Sequence, residues 1–314
     1  MARIILTRMA HSVPILLIIA VLAFFLMQLL PGDPAVLMAG EGASEASIQE
    51  IRERLHLDLP LVQQLGSWLL QLIRGDLGSS LQLNQTVVSA VAERLPVSAS
   101  LAVVSLAITV PAGICLGVAA AYARGTWLDS LAMAVALIGV SVPSFWIAIL
   151  SVILFSVTLG WLPSAGYVPL SGGVGPWFLA LLQPALVLAL FQIGFLARMT
   201  RSAMLDVLDQ DFIRTARAKG VAETGVVWTH AFRNTFIAVL TVVGYIASLL
   251  IGGSVIVEQV FALPGVGRLV VQAVLTRDYP LVQGSLLLFG FIFVLINIVP
   301  DILYTLVDPR VRYD

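Results

Sequence analysis

Six long apolar stretches restrict what this sequence can fold into. Each is near or above the roughly 20 residues that a helix needs to cross a bilayer core about 30 Å thick. They are too long for barrel strands, and helices satisfy their own backbone polar groups inside a membrane. The sequence therefore predicts an all-α integral membrane protein with six transmembrane helices. The predicted spans are approximately residues 12–30, 97–122, 131–159, 177–197, 236–257 and 284–307.

The composition excludes an ordinary soluble domain. Hydrophobic residues make up 59% of the chain and charged residues only 11%, against about 25% charged residues in a typical soluble domain. The formal net charge of −1 gives no indication of a nucleic-acid partner. The single cysteine, Cys115, cannot form a disulfide within the chain, and the three histidines are widely separated, so no metal site is predicted.

The N-terminal stretch has the layout of a signal peptide, because Arg3 and Arg8 precede its apolar part. That apolar part is longer than the usual 7–15 residues, and no convincing cleavage site follows it. We therefore expect an uncleaved first span.

Lysine and arginine residues predict the orientation of the spans. With the N-terminus in the cytoplasm, eleven of the 17 basic residues fall on the cytoplasmic side and six on the other side. Cytoplasmic loops of membrane proteins carry such an excess. We expect both termini, and the charged segment 209–234 between spans four and five, to lie in the cytoplasm.

The chain is predicted to have three parts: a first transmembrane helix (1–31), a periplasmic loop (32–96) and a five-helix core (97–314). Within the loop, Ser47 and Glu50 have the spacing of a capping box that opens a short helix. Apolar residues then recur at helical spacing in two sets, which are Ile48, Ile51 and Leu55, and Leu61, Leu65, Trp68, Leu69 and Leu72. These two amphipathic helices either pack against the other outer loops or form a docking surface for an extracytoplasmic partner.

The centres of the spans hold almost no ionisable side chains, and Glu258 and Asp301 lie near span ends. A proton- or sodium-coupled secondary transporter normally needs such groups at mid-membrane. A membrane-embedded enzyme would need a nucleophile with a base, or paired aspartates, and neither is evident. A scaffolding protein is a third alternative. The sequence also lacks the G-x-x-x-x-G-K-[ST] loop that cradles ATP phosphates.

The segment 209–234 contains a predicted short helix near 209–221. Asp209 and Asp211 precede the basic residues, which suits the dipole of a helix, and Gly220 is placed to end it. Such a helix is either part of a solvated loop or fits a groove on a cytoplasmic protein. Three small or apolar residues would allow close approach to another surface, namely Ile213, Ala216 and Ala218.

The run R-T-A-R-A-K-G at 214–220 resembles the E-A-A-x-x-x-G loop of ABC importer permeases. In that family the loop forms the coupling helix, which docks onto the ATPase subunit. Arg214 stands where the family has glutamate, and Thr215 stands at its first alanine. Together with H-A-F-R at 230–233, this form is similar to the dipeptide/oligopeptide/nickel branch of the family.

Four further motifs resemble the same branch, and specifically its first-permease type. They are L-P-G-D-P at 30–34, R-G-D-L-G-S-S at 74–80, the run 258–268 with R-D-Y-P at 277–280, and D-P-R-V-R at 308–312. Each glycine or proline alone is explained by turn formation. Their joint order is what identifies the branch.

The resemblance implies a type I ABC importer permease fold in a bacterial or archaeal plasma (inner) membrane. A second homologous permease subunit would complete the pore, two ATPase subunits would use ATP and Mg, and a periplasmic substrate-binding protein would deliver the substrate. This chain would bind no cofactor and would contact membrane lipid. Di- and oligopeptides are the expected substrates, and nickel, a metal–chelator complex or glutathione are the alternatives.

The resemblance and the polarity of the spans also nominate functional residues. The expected contact with the ATPase comprises Ile213, Arg214, Thr215, Ala216, Arg217, Ala218, Lys219 and Gly220. The residues expected to face the binding protein are Pro264, Gly265, Gly267, Arg268 and Asp278. Pore-lining candidates, each equally suited to an interhelical hydrogen bond, are Ser141, Ser144, Gln192, Ser248 and Asn297.

The missing phosphate-binding loop generates a prediction. The purified chain, assayed alone for phosphate release from ATP, should hydrolyse no ATP, because it lacks this phosphate-binding loop. Robust hydrolysis by the isolated chain would overturn the division of labour between permease and ATPase subunits.

Overall fold

A computed structural model of the chain describes residues 2–29, 33–40, 42–54, 57–80 and 82–307. Several residues used in the sequence predictions lie outside this part of the chain. They are Leu30, Pro31 and Gly32 of the first motif, Leu55 of the first amphipathic helix, and the whole C-terminal motif 308–312.

The described chain is mostly helical. In chain order the α-helices are α1 (Ala2–Gln28), α2 (Pro34–Ala39), α3 (Glu45–Arg54), α4 (Leu61–Ile73), α5 (Val87–Tyr122), α6 (Trp127–Ser141), α7 (Ser144–Ser151), α8 (Val174–Leu208), α9 (Asp211–Ala218), α10 (Glu223–Gly225), α11 (Arg233–Val260), α12 (Val266–Leu275) and α13 (Tyr279–Val307). Two short strands, β1 (Ser79–Ser80) and β2 (Gln85–Thr86), pair antiparallel ahead of α5. Two π-helical segments, Val152–Thr158 and Val226–Phe232, follow α7 and precede α11, and a 3₁₀ turn (Leu170–Gly172) precedes α8.

Five helical stretches of the described chain are long and apolar enough to span a membrane. They are Met9–Leu26, Val87–Tyr122, Val174–Leu208, Glu223–Val260 and Tyr279–Val299. A sixth is obtained when α6 and the stretch Ser144–Thr158 are counted as one bent span. The predicted number of six spans is thus met with one broken helix among them.

The predicted third span is not a continuous helix, since its two halves meet at an angle of 97°. Val142, between α6 and α7, has an extended backbone with φ −87° and ψ 129°. The following residue is Pro143, whose ring disfavours a helical conformation at the residue before it and which lacks a backbone N–H. The predicted third span, 131–159, is therefore broken at this proline.

The first amphipathic helix of the N-terminal loop begins earlier than predicted. Helix α3 starts at Glu45, and the Ser47 backbone N–H donates to the Ser44 hydroxyl at 3.2 Å. Ser44 therefore caps this helix, and Ser47 lies in its first turn. The capping box assigned to Ser47 and Glu50 was wrong, whereas the second helix, α4, begins directly after Pro60 as its pattern indicated.

The chain divides into two compact units. Unit 1 comprises Met1–Pro96 and Pro264–Leu295, and unit 2 comprises Val97–Leu263 and Ile296–Asp314. In unit 1, the beginning of α5 packs with α12 and the beginning of α13 around buried residues that include Val87, Leu269 and Val282. Unit 2 has a core formed mainly by α5, α8 and α11, with buried residues that include Leu101, Leu196 and Ile246.

Glycines allow the helices of unit 2 to approach each other closely. A Cβ atom on Gly117 of α5 would lie 2.6 Å from the Ala197 carbonyl oxygen of α8. A Cβ atom on Gly194 of α8 would collide with the Ala136 carbonyl oxygen of α6. In lipid, apolar helices have no hydrophobic driving force to associate. Close van der Waals packing at small residues therefore holds them together. The four-residue spacing of Gly113 and Gly117 is a signal for this contact that the sequence reasoning missed.

Replacing Gly194 with alanine should destabilise unit 2. The new methyl group has no room against the α6 backbone, and overpacking of this kind typically costs about 1–3 kcal/mol. The measurement is the thermal unfolding midpoint of the purified protein in detergent.

The matched control is Gly252→Ala in α11, since a Cβ atom there would have no neighbour within 4 Å. This substitution should leave the unfolding midpoint unchanged or raise it slightly, because alanine is more stable than glycine in a helix interior. Equal effects of the two substitutions would contradict the proposed close packing of α6 and α8.

Candidate functional site

Helix α9 is attached to its own chain by two inward-facing residues. Ile213 is fully buried and Ala216 is nearly so. They pack in a cluster with residues from the ends of α5 and α8 and from the second π-helical segment, which are Val118, Ala121, Met204, Val226, Val227 and Ala231. The remaining residues of α9 are exposed. A two-residue apolar contact thus fixes which face of this short helix is exposed.

The end of α9 is a glycine-dependent cap. Gly220 adopts φ +80°, a left-handed conformation that glycine takes without a steric penalty. Its N–H donates to the Arg217 carbonyl at 3.0 Å, and the Val221 N–H donates to the Ala216 carbonyl at 3.3 Å. These two bonds form a Schellman motif, and Val221 packs against the same apolar cluster as Ile213. The prediction that Gly220 ends the helix is confirmed.

The exposed face of α9 carries three basic side chains, two of which form ion pairs. Arg217 donates to Glu223 from Nε at 2.8 Å, and Arg214 lies 3.4 Å from Asp211. Lys219 is exposed as well. Solvent-exposed pairs of this kind contribute at most about 1 kcal/mol. Exchanging them for pairs with an acidic partner surface therefore costs little.

Six of the eight residues predicted to contact the ATPase lie on the exposed surface of α9 and its cap. They are Arg214, Thr215, Arg217, Ala218, Lys219 and Gly220. Ile213 and Ala216 do not, because their side chains are buried against the same chain. The expectation that these two would allow close approach to another protein is corrected accordingly.

Near α9, a partly buried ion pair connects α6 with α8. Arg201 donates to both carboxylate oxygens of Asp129, with both distances 2.6 Å, and the Gly125 N–H donates to the same carboxylate at 3.1 Å. The Asp129 side chain is 8% exposed. A second, exposed pair joins Arg124 to Asp209, the residue that ends α8, at 2.9 Å. Sequence reasoning missed both pairs, although Asp129 is conspicuous as a carboxylate within an apolar helix.

Most residues expected to face the binding protein are not surface residues. Pro264 is exposed and Arg268 is partly exposed, but Gly265, Gly267 and Asp278 are buried. Gly265 directly precedes α12, and Gly267 lies in its first turn. The prediction for these three residues is corrected, because they pack inside unit 1.

Asp278 forms hydrogen bonds with two parts of unit 1, strand β1 and helix α13. Its carboxylate accepts hydrogen bonds from the Ser80 hydroxyl of β1 and, at 3.2 Å, from the Leu281 N–H of α13. Burial raises the pKa of the Asp278 carboxyl, while the hydrogen bond from Ser80 acts in the opposite direction. The preceding residue, Arg277, has φ +54°, a conformation uncommon for a residue with a side chain. This turn is therefore a structural connection between the hairpin and α13.

The five pore-lining candidates fall into different environments. Gln192 and Ser248 are buried, Ser144 is half-buried, and Ser141 and Asn297 are exposed. The Ser141 and Ser248 hydroxyls donate to carbonyls one turn earlier in their own helices. The Gln192 amide oxygen has no hydrogen-bond partner among the described residues. Their place along a pore stays a prediction.

No group of three or more histidine, cysteine, aspartate or glutamate side chains is arranged to hold a metal ion among the described residues.

Family comparisons agree with a multi-pass helical transport protein. The family described as "Binding-protein-dependent transport system inner membrane component" matches residues 113–313. Its N-terminal counterpart, "Binding-prot-dependent transport system membrane comp, N-term", matches residues 1–102. The chain belongs to this family of inner-membrane permeases. It is a permease subunit of a binding-protein-dependent ABC importer, and its family implies ATPase and substrate-binding partners.

Several curated relatives are similar over the whole chain. A putative peptide transport system permease protein of Brucella abortus (strain 2308) is 62% identical over 314 residues, which is 100% of both chains. A probable peptide ABC transporter permease protein of Sinorhizobium fredii is 40% identical over 98% of this chain and 99% of its own. The glutathione transport system permease protein GsiC of Salmonella typhimurium is 42% identical over 98% of each chain.

Solved structures show the same fold. A chain of the MetNI methionine ABC transporter in an inward-facing conformation is similar with a TM-score of 0.59 and 19% identity, covering 70% of this chain and 96% of that one. A second crystal form gives a TM-score of 0.55. The fold is that of a type I ABC importer permease.

The two ion pairs beside α9 give a prediction about stability. Arg201→Leu should lower the free energy of unfolding by about 2 kcal/mol or more, because it leaves the Asp129 carboxylate buried without its partner. The unfolding midpoint of the purified protein in detergent measures the change.

Arg124→Leu is the matched control, since it removes an arginine from a pair whose two side chains are 57% and 65% exposed. Its effect should stay within about 1 kcal/mol. Equal losses of unfolding free energy in the two variants would refute the assignment of the Asp129–Arg201 pair as the more buried of the two.

Proposed function

We propose that this chain forms half of the translocation pore of an importer for di- and oligopeptides. The observation that carries the proposal is the similarity to a putative peptide transport system permease protein, at 62% identity along the entire chain. The Sinorhizobium fredii relative, also described as a peptide permease, supports the same substrate class.

In the proposed assembly a second, homologous permease subunit completes the pore, and an extracytoplasmic binding protein delivers the peptide. Two separate ATPase subunits bind ATP and Mg and hydrolyse the nucleotide, while this chain binds no cofactor. The absence of a phosphate-binding loop from the sequence supports this division. Of the residues first assigned to the binding-protein face, Pro264 and Arg268 are the ones whose exposure suits that contact.

The proposed orientation places both termini and α9 in the cytoplasm. The distribution of basic residues supports this orientation, because it places eleven of the 17 on the cytoplasmic side.

In the proposed mechanism, α9 docks into a groove of the ATPase through its exposed basic face. Arg214, Arg217 and Lys219 pair there with acidic groups, and such pairs mainly set the specificity and rate of docking. Ile213 and Ala216 carry the movement onward, because their buried contacts with α5, α8 and the π-helical segment resist separation. Closure of the ATPase pair on ATP would thereby shift the spans and alternate access to the pore.

Glutathione is a second candidate substrate. It is favoured by the 42% identity to the glutathione permease protein of Salmonella typhimurium over 98% of the chain. Glutathione is itself a modified tripeptide, so the two proposals share the chemistry of a short zwitterionic chain.

Replacing Gly220 with valine should uncouple uptake from ATP hydrolysis. A side chain at a left-handed position costs roughly 1–2 kcal/mol, which displaces the end of α9 without disturbing the spans. The complete complex in proteoliposomes, supplied with binding protein and labelled dipeptide, should retain basal ATP hydrolysis while uptake falls by about ten-fold or more.

Gly160→Val is the control for backbone strain, because Gly160 also has positive φ and open space around it but lies outside α9. Its uptake should stay near that of the unaltered complex. Unchanged uptake by the Gly220 variant would count against docking through α9. Uptake of glutathione in preference to dipeptides by the unaltered complex would reassign the substrate and leave the docking proposal standing.

A further inference from the structure

Unit 1 contains a polar cavity of about 280 Å³. The end of α1, helix α4, the turn after α4 and the beginning of α13 form its walls. Its polar lining includes the side chains of Gln28, Gln64, Asp76 and Gln283. The aromatic rings of Trp68 and Tyr279 also line it. Neither lysine nor arginine is among the residues that line this cavity.

Two buried amides in this wall differ in their hydrogen bonding. Gln64 is satisfied, since it donates to the Leu57 and Leu59 carbonyls at 3.3 and 2.8 Å and accepts from the Gln28 amide at 3.2 Å. Gln283 is 6% exposed and lines the cavity, and no described residue bonds its amide. The Gln283 amide is therefore free to bond a polar group in the cavity.

Asp76 indicates the charge of a group that would bind in this cavity. Asp76 is exposed at the rim of the cavity. One of its carboxylate oxygens accepts from the Gly78 N–H at 2.8 Å, which leaves the other oxygen available to the cavity. With a carboxylate, aromatic rings and no basic side chain in the wall, the cavity suits an ammonium group, which aromatic faces also attract. A purely anionic head would meet no positive charge here.

An apolar groove of about 520 Å³ adjoins this cavity at Leu77, which lines both. Its wall consists of apolar side chains from three helices, among them Leu17 of α1, Leu72 of α4 and Leu287 of α13. The parts of α1 and α13 that form it belong to the membrane-spanning stretches Met9–Leu26 and Tyr279–Val299. At that depth the surrounding medium is hydrocarbon, so the groove is open to an acyl chain and offers nothing to a peptide backbone.

We propose that unit 1 binds one zwitterionic phospholipid with an ammonium head, of the phosphatidylethanolamine type. Its head enters the polar cavity, with the ammonium at Asp76 and a polar oxygen at the Gln283 amide. One acyl chain lies in the groove between α1, α4 and α13. The site would hold α4 against the two spans and is independent of the substrate that the importer carries.

Native mass spectrometry of the purified full-length chain tests the site. The chain is incubated with equimolar palmitoyl-oleoyl phosphatidylethanolamine and phosphatidylglycerol, and retained lipid is counted. One phosphatidylethanolamine should be retained in preference to phosphatidylglycerol. Asp76→Asn should lower this retention by up to about five-fold, the largest loss expected for one exposed ion pair. Asp58→Asn, an exposed aspartate of unit 1 outside the cavity, should have no effect.

Leu17→Trp provides a second variant that tests the groove without altering the polar cavity. The larger ring fills the groove from an exposed position, so retention should fall for both lipids while the thermal midpoint of the lipid-free protein stays unchanged. Equal retention of the two lipids, no effect of Asp76→Asn, or displacement of the lipid by a dipeptide would each overturn the proposal.

Discussion

The close packing of α8 against its neighbours supports the rest of unit 2. In a bilayer the helices are surrounded by lipid as apolar as their own side chains, so they associate through van der Waals contact and buried polar pairs. Glycines at positions 117 and 194 remove the side chains that would separate α8 from α5 and α6. The Asp129–Arg201 pair then connects α6 to α8 nearer the end that carries α9. Helix α9 is thus attached to helices that are already held in place.

This arrangement explains how a helix of eight residues is held in one position. A helix this short is not stable alone, because helix nucleation costs free energy and a short helix has few hydrogen bonds to offset that cost. Helix α9 obtains its stability from the buried Ile213 and Ala216 and from the cap at Gly220. The same contacts orient its basic residues outward. The stability of α9 and the exposure of its basic face therefore depend on the same few residues.

In unit 1, several residues that resemble family signatures act within the chain. Asp278 and Ser80 belong to two motifs that are far apart in sequence, and they meet in a buried hydrogen bond. Gly265 and Gly267 are buried at the start of α12. A motif identifies relatives whether its residues contact a partner or shape a turn. Its recurrence in a sequence therefore did not distinguish an outer docking surface from an internal connection.

The sequence by itself determined the spans, the helical class, the family and the end of α9 at Gly220. The spans, the helical class and the helix end depend on local properties, namely the length of apolar stretches and the backbone freedom of glycine. The family depends on the joint order of motifs along the chain. The tertiary structure alone decided that Ile213 and Ala216 face inward, that Asp278 is buried, and that Asp129 meets Arg201 across 72 residues of sequence. It also decided the break at Pro143, because a proline within a span is absorbed or bends the helix according to its neighbours. Such outcomes depend on which helices are adjacent, and helix adjacency is a property of the packed fold.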